Sequence, residues 1–229
     1  MIRLSDFISL VFPRICCGCG NTLWKHEEVI CRLCEFHLPK THFHTYRDNP
    51  VARIFYGRVP IGEAMAFLYF HKGNTVQRLI HQLKYKGRKD IGIFLGRMYG
   101  AELTGSAFPT PPDLIVPVPL HRKKYMKRGY NQSEQFAVGL SEALHIPLNR
   151  RLLTRSRYTE TQTRKNRFRR WQNVRNIFQV DRPQHWKGMR ILLVDDVVTT
   201  GATLEACAEA LLAIPDVTIS VACIATAKH

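Results

Sequence analysis

A strand–turn–helix pattern near the C-terminus constrains the fold of this chain more than any other feature of the sequence. The run Ile191–Val194 is short, apolar and rich in branched residues, which is typical of a buried strand in a parallel sheet. Two acids follow, Asp195 and Asp196, and then a turn rich in threonine and glycine. Residues Leu204–Ala213 favour a helix, which ends before Pro215. This order predicts an α/β fold with a parallel sheet flanked by helices.

The acids and the turn have the chemistry of a site for a phosphorylated sugar. Backbone N–H groups at a helix N-terminus and the positive end of the helix dipole attract an anion. Gly201 lets the backbone turn tightly and approach a ligand. Asp195 and Asp196 would end the strand, where they can accept hydrogen bonds from sugar hydroxyls or hold hydrated Mg²⁺. The alternative is an ordinary βα unit with a threonine N-cap and two exposed acids.

The segment Ile191–Thr203 resembles the phosphoribosyl-pyrophosphate-binding motif of the type I phosphoribosyltransferases. The resemblance implies that Asp195 and Asp196 bind the ribose hydroxyls and that the turn binds the 5′-phosphate. Some proteins with this fold only bind nucleotides, so the motif implies the fold but not catalysis. We expect ligand contacts from the residues that follow the acids, Val197, Val198, Thr199, Thr200, Gly201, Ala202 and Thr203.

Four cysteines near the N-terminus have the spacing C-x2-C-x11-C-x2-C. They are Cys16, Cys19, Cys31 and Cys34. Two such pairs supply four thiolates for a tetrahedral, coordinatively closed Zn²⁺, so the predicted metal is structural. Cys17 is spare, and the alternatives are unpaired cysteines without metal or disulfides. The nearby histidines lie outside the pairs and are expected to face solvent: His37, His42 and His44.

The chain, with 229 residues, is long enough for one domain and a small appendage. We expect residues 1–45 to contain the zinc module and residues 46–229 to form the phosphoribosyltransferase-like domain. Cysteines that ligate a metal indicate a reducing compartment, so we expect a cytoplasmic protein. Charged residues interrupt the apolar opening Met1–Ile15, which excludes a membrane span and favours an amphipathic helix over Leu4–Phe12.

A net charge of +16 favours a polyanionic partner. Five Lys and Arg residues fall in Arg122–Arg128, directly after a predicted strand at Asp113–Val118. We expect a mobile cationic loop there. Arg122 and Lys123 would stabilise a pyrophosphate leaving group. The loop equally fits a nucleic-acid backbone through Lys124, Lys127 and Arg128, and the alternative is a surface loop without a ligand.

A second basic stretch, Pro147–Arg170, has aromatic residues interleaved with its arginines. Such a surface would contact both the base faces and the backbone phosphates of single-stranded nucleic acid. We expect Arg164 and Arg167 to bind it. The alternative is that the aromatic side chains pack inward.

Between the cysteines and these basic stretches, Ala64–Phe70 is a predicted strand. The helical spacing of Val76, Leu79, Ile80 and Leu83 predicts a helix that ends near Lys84, and a second helix is expected near Ile91–Leu103. We expect residues 64–104 to form a possible cap over the site.

Together, the four cysteines, Leu83–Arg88, Pro117–Gln132 and Asp195–Thr203 make the chain similar to the ComF/GntX family. The resemblance implies a role in natural competence or the use of external DNA. It also implies partners among single-stranded DNA, DNA helicase and recombination proteins.

Three functional hypotheses follow. The first is a DNA-handling protein whose pocket binds phosphoribosyl pyrophosphate or a nucleotide. The second is an active Mg²⁺-dependent phosphoribosyltransferase acting on a nucleobase or an amine, in which Lys84, Arg122 and Lys123 stabilise pyrophosphate and Asp195 or Asp196 holds the sugar. The third is a ligand-sensing adaptor that docks a protein partner.

Overall fold

The computed structural model describes residues 13–104, 111–155 and 177–227. The helices in these ranges are α1 (Arg32–Phe36), α2 (Pro50–Arg53), α3 (Thr75–Tyr85), α4 (Lys89–Leu103), α5 (Arg122–Arg128), α6 (Gln132–Leu144) and α7 (Ala202–Leu211). The strands are β1 (Ala64–Phe70), β2 (Leu114–Pro117), β3 (Leu153–Arg155), β4 (Phe178–Val180), β5 (Arg190–Val198) and β6 (Thr218–Ala227). Short 3₁₀ turns cover Phe43–Thr45 and Pro183–Trp186.

The main sheet has four parallel strands in the order β1-β6-β5-β2, which confirms the predicted fold class. The apolar run Ile191–Val194 is buried at the centre of this sheet. Pairing of β5 with β6 continues from Asp195 opposite Cys223 to Val198 opposite Thr226. The strand therefore extends beyond the apolar run, over the two acids and on to Val198. Strands β3 and β4 form a separate antiparallel pair.

Helices α4 and α6 touch along their backbones because both present glycine at the crossing. A Cβ atom on Gly96 would lie 2.9 Å from the Cα of Gly139, and one on Gly139 would lie 2.7 Å from the backbone N of Arg97. Phe136 and Leu140 of α6 are fully buried in the core. This close packing fixes α6, and its first turn lies beside the carboxyl end of β5, where Ser133 reaches Asp195.

The predicted strand and helices between residues 64 and 104 are confirmed, whereas the cap over the site stays a prediction. Strand β1 pairs in parallel with β6, so it is part of the main sheet itself. The four apolar residues at helical spacing on α3 are all buried, as the periodicity predicted. Helix α4 packs on α6 through Gly96. The end of α3, at Lys84, reaches Asp196.

The segment before β1 contacts the sheet and α3. Gln82 of α3 donates from Nε2 to the carbonyl oxygen of Cys17 at 2.7 Å, and Lys40 forms an antiparallel bridge with Leu68 of β1. The division into residues 1–45 and 46–229 stays a prediction. The predicted helix over Leu4–Phe12 lies outside the described residues. Across the three described ranges, each helix is either too short or too polar to cross a bilayer.

The cationic segment after β2 is a helix, α5, and not the mobile loop that the sequence suggested. The side chain of His121 caps its start by accepting from the Lys123 N–H at 3.2 Å. Gly129, with φ of 77°, ends it by donating its N–H to the Tyr125 carbonyl at 2.7 Å. Two caps stabilise one short helical segment of Lys and Arg, which are good helix formers.

Candidate functional site

Lys84 and Asp196 meet at the carboxyl edge of the main sheet. Lys84 Nζ lies 3.0 Å from Asp196 Oδ2, and both side chains are about four-fifths buried, with exposed fractions of 21% and 15%. Lys84 reaches this place because the neighbouring Leu83 anchors α3 in the core. The helix ends at Tyr85, one residue after Lys84. The structure therefore joins two of the residues that the sequence assigned to catalysis.

Asp195 is held by neighbours rather than directed toward solvent. Its Oδ1 accepts from Ser133 Oγ at 2.7 Å and from the backbone N–H of Asp196 at 2.8 Å. Burial and the adjacent negative charge of Asp196 raise the pKa of Asp195 to about 7, against the opposing effects of Ser133, the Asp196 amide and Lys84. Asp195 and Asp196 thus occupy different environments, although the sequence pattern predicted the same role for both.

The turn after β5 begins α7 with backbone N–H groups that have no partner inside the helix. Gly201 is the N-cap residue and has φ of 73°, in the left-handed region. A Cβ atom there would lie 2.5 Å from Cγ2 of Ile54. Thr199 and Thr200 are exposed. The turn therefore combines helix N-terminal amides with exposed threonines, and its contacts with a ligand stay a prediction.

Arg58 holds this turn in place. Its Nη1 donates to the Thr200 carbonyl at 3.1 Å, and its Nη2 forms an ion pair with Glu205 of α7. Arg58 was not identified from the sequence, because no pattern near it indicates a contact with a turn so distant in the chain. Ser133, which donates to Asp195, was not identified from the sequence either.

The two motifs Leu83–Arg88 and Arg128–Gln132 contact each other beside the acids. The Tyr130 hydroxyl donates to the carbonyl oxygen of Leu83. The Arg128 guanidinium lies 5.3 Å from the Tyr85 ring centroid and donates to Gln132 Oε1 at 2.6 Å. These contacts fix the backbone directly before Lys84. Arg128, which the sequence assigned to nucleic-acid binding, thus also holds the site together.

The remaining basic residues of α5 are exposed and keep their charges in solvent. They are Arg122, Lys123, Lys124 and Lys127. Within the part of the chain that the structure describes, none of them forms an ion pair with Asp195 or Asp196. The roles assigned to Arg122 and Lys123 stay predictions. Arg164 and Arg167 lie outside the described residues.

The four predicted metal ligands come together. Thiols of Cys16, Cys19, Cys31 and Cys34 all lie within 4.8 Å of one another. Cys16 Sγ accepts from the backbone N–H groups of Gly18 at 3.3 Å and Cys31 at 3.2 Å. Burial raises the pKa of the Cys16 thiol, but backbone N–H donors outweigh it and lower the pKa to about 7.

This donor set fits Zn²⁺, because four thiolates in one cluster are the ligands of closed tetrahedral zinc sites. Gly18 is needed for the close approach, since a Cβ atom there would lie 2.8 Å from Cys34 Sγ. The thiol of Cys17 is buried and is not part of the cluster.

Known proteins are similar to this chain over the residues that form the site. The phosphoribosyl transferase domain family matches residues 131–229, which include the acids and the turn. The DNA utilization protein YhgH of Escherichia coli O157:H7 is 32% identical over 213 residues, covering 92% of this chain and 89% of that protein. Competence protein ComFC of Bacillus subtilis is 27% identical over 199 residues, covering 87% and 78%.

Among solved structures, the chain resembles the purine phosphoribosyltransferase from Pyrococcus horikoshii, with a TM-score of 0.36 and 23% identity over 62% of this chain and 76% of that chain. The relatives extend over nearly the whole sequence and include proteins of DNA utilization and of competence. This chain therefore belongs to the ComF/GntX family of competence and DNA-utilization proteins, and it carries a phosphoribosyltransferase domain.

Proposed function

We propose that the chain binds phosphoribosyl pyrophosphate or a nucleotide at the carboxyl edge of β5, as part of a role in handling DNA. The observation that carries this proposal is the Lys84–Asp196 ion pair beside the turn that begins α7. It combines a carboxylate, an ammonium group and helix N-terminal amides at one sheet edge. Those groups suit a sugar hydroxyl, a diphosphate and a monophosphate, respectively.

The two acids have different roles in this proposal. Asp196 accepts hydrogen bonds from the ribose hydroxyls or holds hydrated Mg²⁺ that arrives with the ligand. Asp195 positions Asp196, since its Oδ1 already accepts from Ser133 and from the Asp196 amide. Thr199 and Thr200 place their hydroxyls at the 5′-phosphate, and Arg58 keeps the Thr200 carbonyl turned away from that anion.

A thermal-shift titration with Mg²⁺ and a panel of phosphoribosyl pyrophosphate, nucleoside monophosphates and inorganic phosphate tests the ligand class. A ligand that binds only the folded state raises Tm as its concentration rises. The Asp196→Asn variant is expected to lose the shift. The matched control is Asp181→Asn, an exposed acid after β4, which keeps the shift. An equal shift in both variants would contradict the assignment.

The DNA-handling part of the proposal uses the exposed face of α5, with Lys124 and Lys127, and the basic stretch that includes Arg164 and Arg167. Two relatives bear names that refer to DNA utilization and competence. Fluorescence anisotropy with labelled single-stranded DNA tests it. Affinity should fall as salt rises, with a log–log slope of about −0.7 for each phosphate contact. Replacing Lys124 and Lys127 by Gln should make the slope shallower, and the absence of binding at low salt would refute this part.

The second candidate function is that of an active Mg²⁺-dependent phosphoribosyltransferase. The two basic residues at the start of α5 favour it. Arg122 and Lys123 start the helix that follows β2 after a connection of four residues, and β2 pairs with β5 in the sheet. Charge that accumulates on a departing pyrophosphate would be stabilised by such residues. Release of pyrophosphate with a panel of nucleobases and amines tests this function. Activity should be lost in Asp196→Asn, and wild-type activity in that variant would contradict the role of Asp196.

The four-cysteine cluster is proposed to hold one structural Zn²⁺. Its thiols form a compact donor set that brings two separate cysteine pairs together. Metal binding would then supply part of the folding free energy of residues 13–45.

A further inference from the structure

Two histidines and a glutamate meet beside edge strand β1. His42 and His44 come from the 3₁₀ turn before this strand, and Glu102 comes from the last turn of α4. One ligand atom from each of the three lies within 4.8 Å of the others. From the sequence, both histidines were expected to face solvent. His42 does, but His44 is half-buried, so that expectation is wrong for His44.

The turn that carries the histidines is held in place by its own hydrogen bonds. The Thr41 N–H donates to the Phe67 carbonyl of β1 at 3.0 Å, and the Thr41 hydroxyl donates to the Ala66 carbonyl. The same hydroxyl oxygen accepts from the Phe43 N–H at 3.1 Å, and the Phe43 ring is buried. The backbone that carries the two imidazoles is therefore held in place by the fold before any ligand arrives.

Two local features of the histidines cost free energy. His42 has φ of 56°, in the left-handed region that disfavours a residue with a Cβ atom. Nδ1 of His44 is buried and has no hydrogen-bond partner within the described ranges. An orphaned buried polar atom is unfavourable. The His44 ring packs against the Tyr99 ring in a T-shaped contact with 5.9 Å between the two centroids. Coordination of a cation through this nitrogen would offset the cost.

The carboxylate of the cluster already interacts with a cation. Lys40 Nζ lies 2.6 Å from Glu102 Oε1, with exposed fractions of 34% and 22% for the two side chains. Lys40 is a long side chain whose ammonium can swing into solvent, so a divalent ion can take its place. The ammonium thus competes with a metal for Glu102.

We propose that His42, His44 and Glu102 form a second divalent-metal site, separate from the four cysteines and selective for Zn²⁺-like ions. Two imidazoles and one carboxylate are a donor set typical of zinc with an open coordination position. The exposed position of His42 leaves the ion accessible to water or to an anionic group. The site is therefore exchangeable, whereas the closed cysteine site is structural.

Zinc titration of the full chain tests the stoichiometry. Starting from protein with one equivalent of Zn²⁺ on its cysteines, a competing chromophoric chelator should report a second, weaker equivalent. His42→Ala and Glu102→Gln should lose the second equivalent and keep the first. The matched control is His185→Ala, an exposed histidine in the other 3₁₀ turn, which should keep both. A single equivalent in the wild type, or two in Glu102→Gln, would overturn the proposal.

Cobalt distinguishes the two sites by spectrum. Co²⁺ bound by thiolates gives intense charge-transfer absorption in the near ultraviolet. A second equivalent bound by His42, His44 and Glu102 should add weak ligand-field bands alone. Growth of the charge-transfer absorption with the second equivalent would place that ion on cysteine and would overturn the proposal.

The Lys40→Met variant supplies a test that a loss of folding cannot imitate. Removal of the competing ammonium from Glu102 should tighten the second equivalent by roughly tenfold, since each 1.4 kcal/mol is a factor of ten in affinity. Unchanged or weaker binding would contradict the competition between Lys40 and the metal. Circular dichroism and occupancy of the cysteine site verify that each variant is folded.

Discussion

Lys84 at the end of α3 forms an ion pair with Asp196 at the end of β5, although the two residues are far apart in the sequence. Both side chains are mostly buried, so this pair is set by packing of α3 against the core rather than by chance contact on the surface. The neighbouring Asp195 accepts two hydrogen bonds of its own. The three side chains therefore form one electrostatic unit.

Replacement of Lys84 by Met should weaken binding of the phosphorylated ligand by roughly 10- to 100-fold, because a hydrogen bond to a charged group contributes about 1.5–3 kcal/mol. The change leaves Asp196 without its cation and further raises the pKa of Asp195, which Lys84 lowers. A titration of ligand affinity in the variant and the wild type measures the effect. Wild-type affinity in Lys84→Met would show that the ammonium does not touch the ligand.

The stability of the protein should depend on Asp195 between about pH 4 and pH 7. The pKa of Asp195 is about 7 in the folded chain and about 3.9 when unfolded. Because the folded pKa is the higher one, the folded state binds the proton more tightly. The stabilisation is complete below the unfolded pKa and is lost as pH rises through the folded pKa, by at most about 4 kcal/mol.

The Asp195→Asn variant isolates this contribution, since the Asn oxygen can still accept from Ser133 Oγ. Its free energy of unfolding, measured in urea at pH 5 and pH 8, should fall less between the two values than that of the wild type. Equal pH dependence in the two proteins would show that Asp195 ionises normally.

Replacement of Gly201 by Ala should destabilise the fold by about 1–3 kcal/mol and abolish ligand binding. The added Cβ would lie 2.5 Å from Ile54 Cγ2, and φ of 73° disfavours any L side chain. Gly73→Ala is the control, because Gly73 has φ of 86° but a Cβ atom there meets nothing within 4 Å. The control should lose about 1 kcal/mol and keep its affinity. Similar losses of affinity in both variants would contradict close packing at Gly201.

Removal of the metal from the cysteine cluster should lower the stability of the whole chain, because residues of that module contact α3 through Cys17 and Gln82. Chelation, or Cys31→Ser, should reduce Tm and release one equivalent of Zn²⁺. Cys17→Ala lies outside the cluster and should retain the metal. Metal loss from Cys17→Ala but not from Cys31→Ser would reverse the assignment.

Sequence reasoning could predict the parts of this molecule that are local in the chain. The burial of Ile191–Val194, the helix with Leu83 at its end and the cysteine pairs each follow from a short pattern with a known physical period or spacing. The turn at Gly201 has the same origin, because only glycine accepts its left-handed backbone without cost.

Contacts between distant segments were not predictable in the same way. Arg58 binds the carbonyl of Thr200 from a segment that carries no recognisable pattern. Ser133 bonds Asp195 because the α4–α6 glycine contact sets the position of α6, which no single segment encodes. The helix at Arg122–Arg128 was missed because positive charge suggested mobility, whereas its two capping residues decide the backbone.

Isothermal titration calorimetry of phosphoribosyl pyrophosphate with Mg²⁺ tests the central claim most directly. The account predicts one binding site per chain in the wild type, with heat of binding lost in Asp196→Ala and retained in Asp181→Asn. Absence of binding in the wild type by this ligand and by nucleoside monophosphates, or undiminished binding in Asp196→Ala, would contradict it.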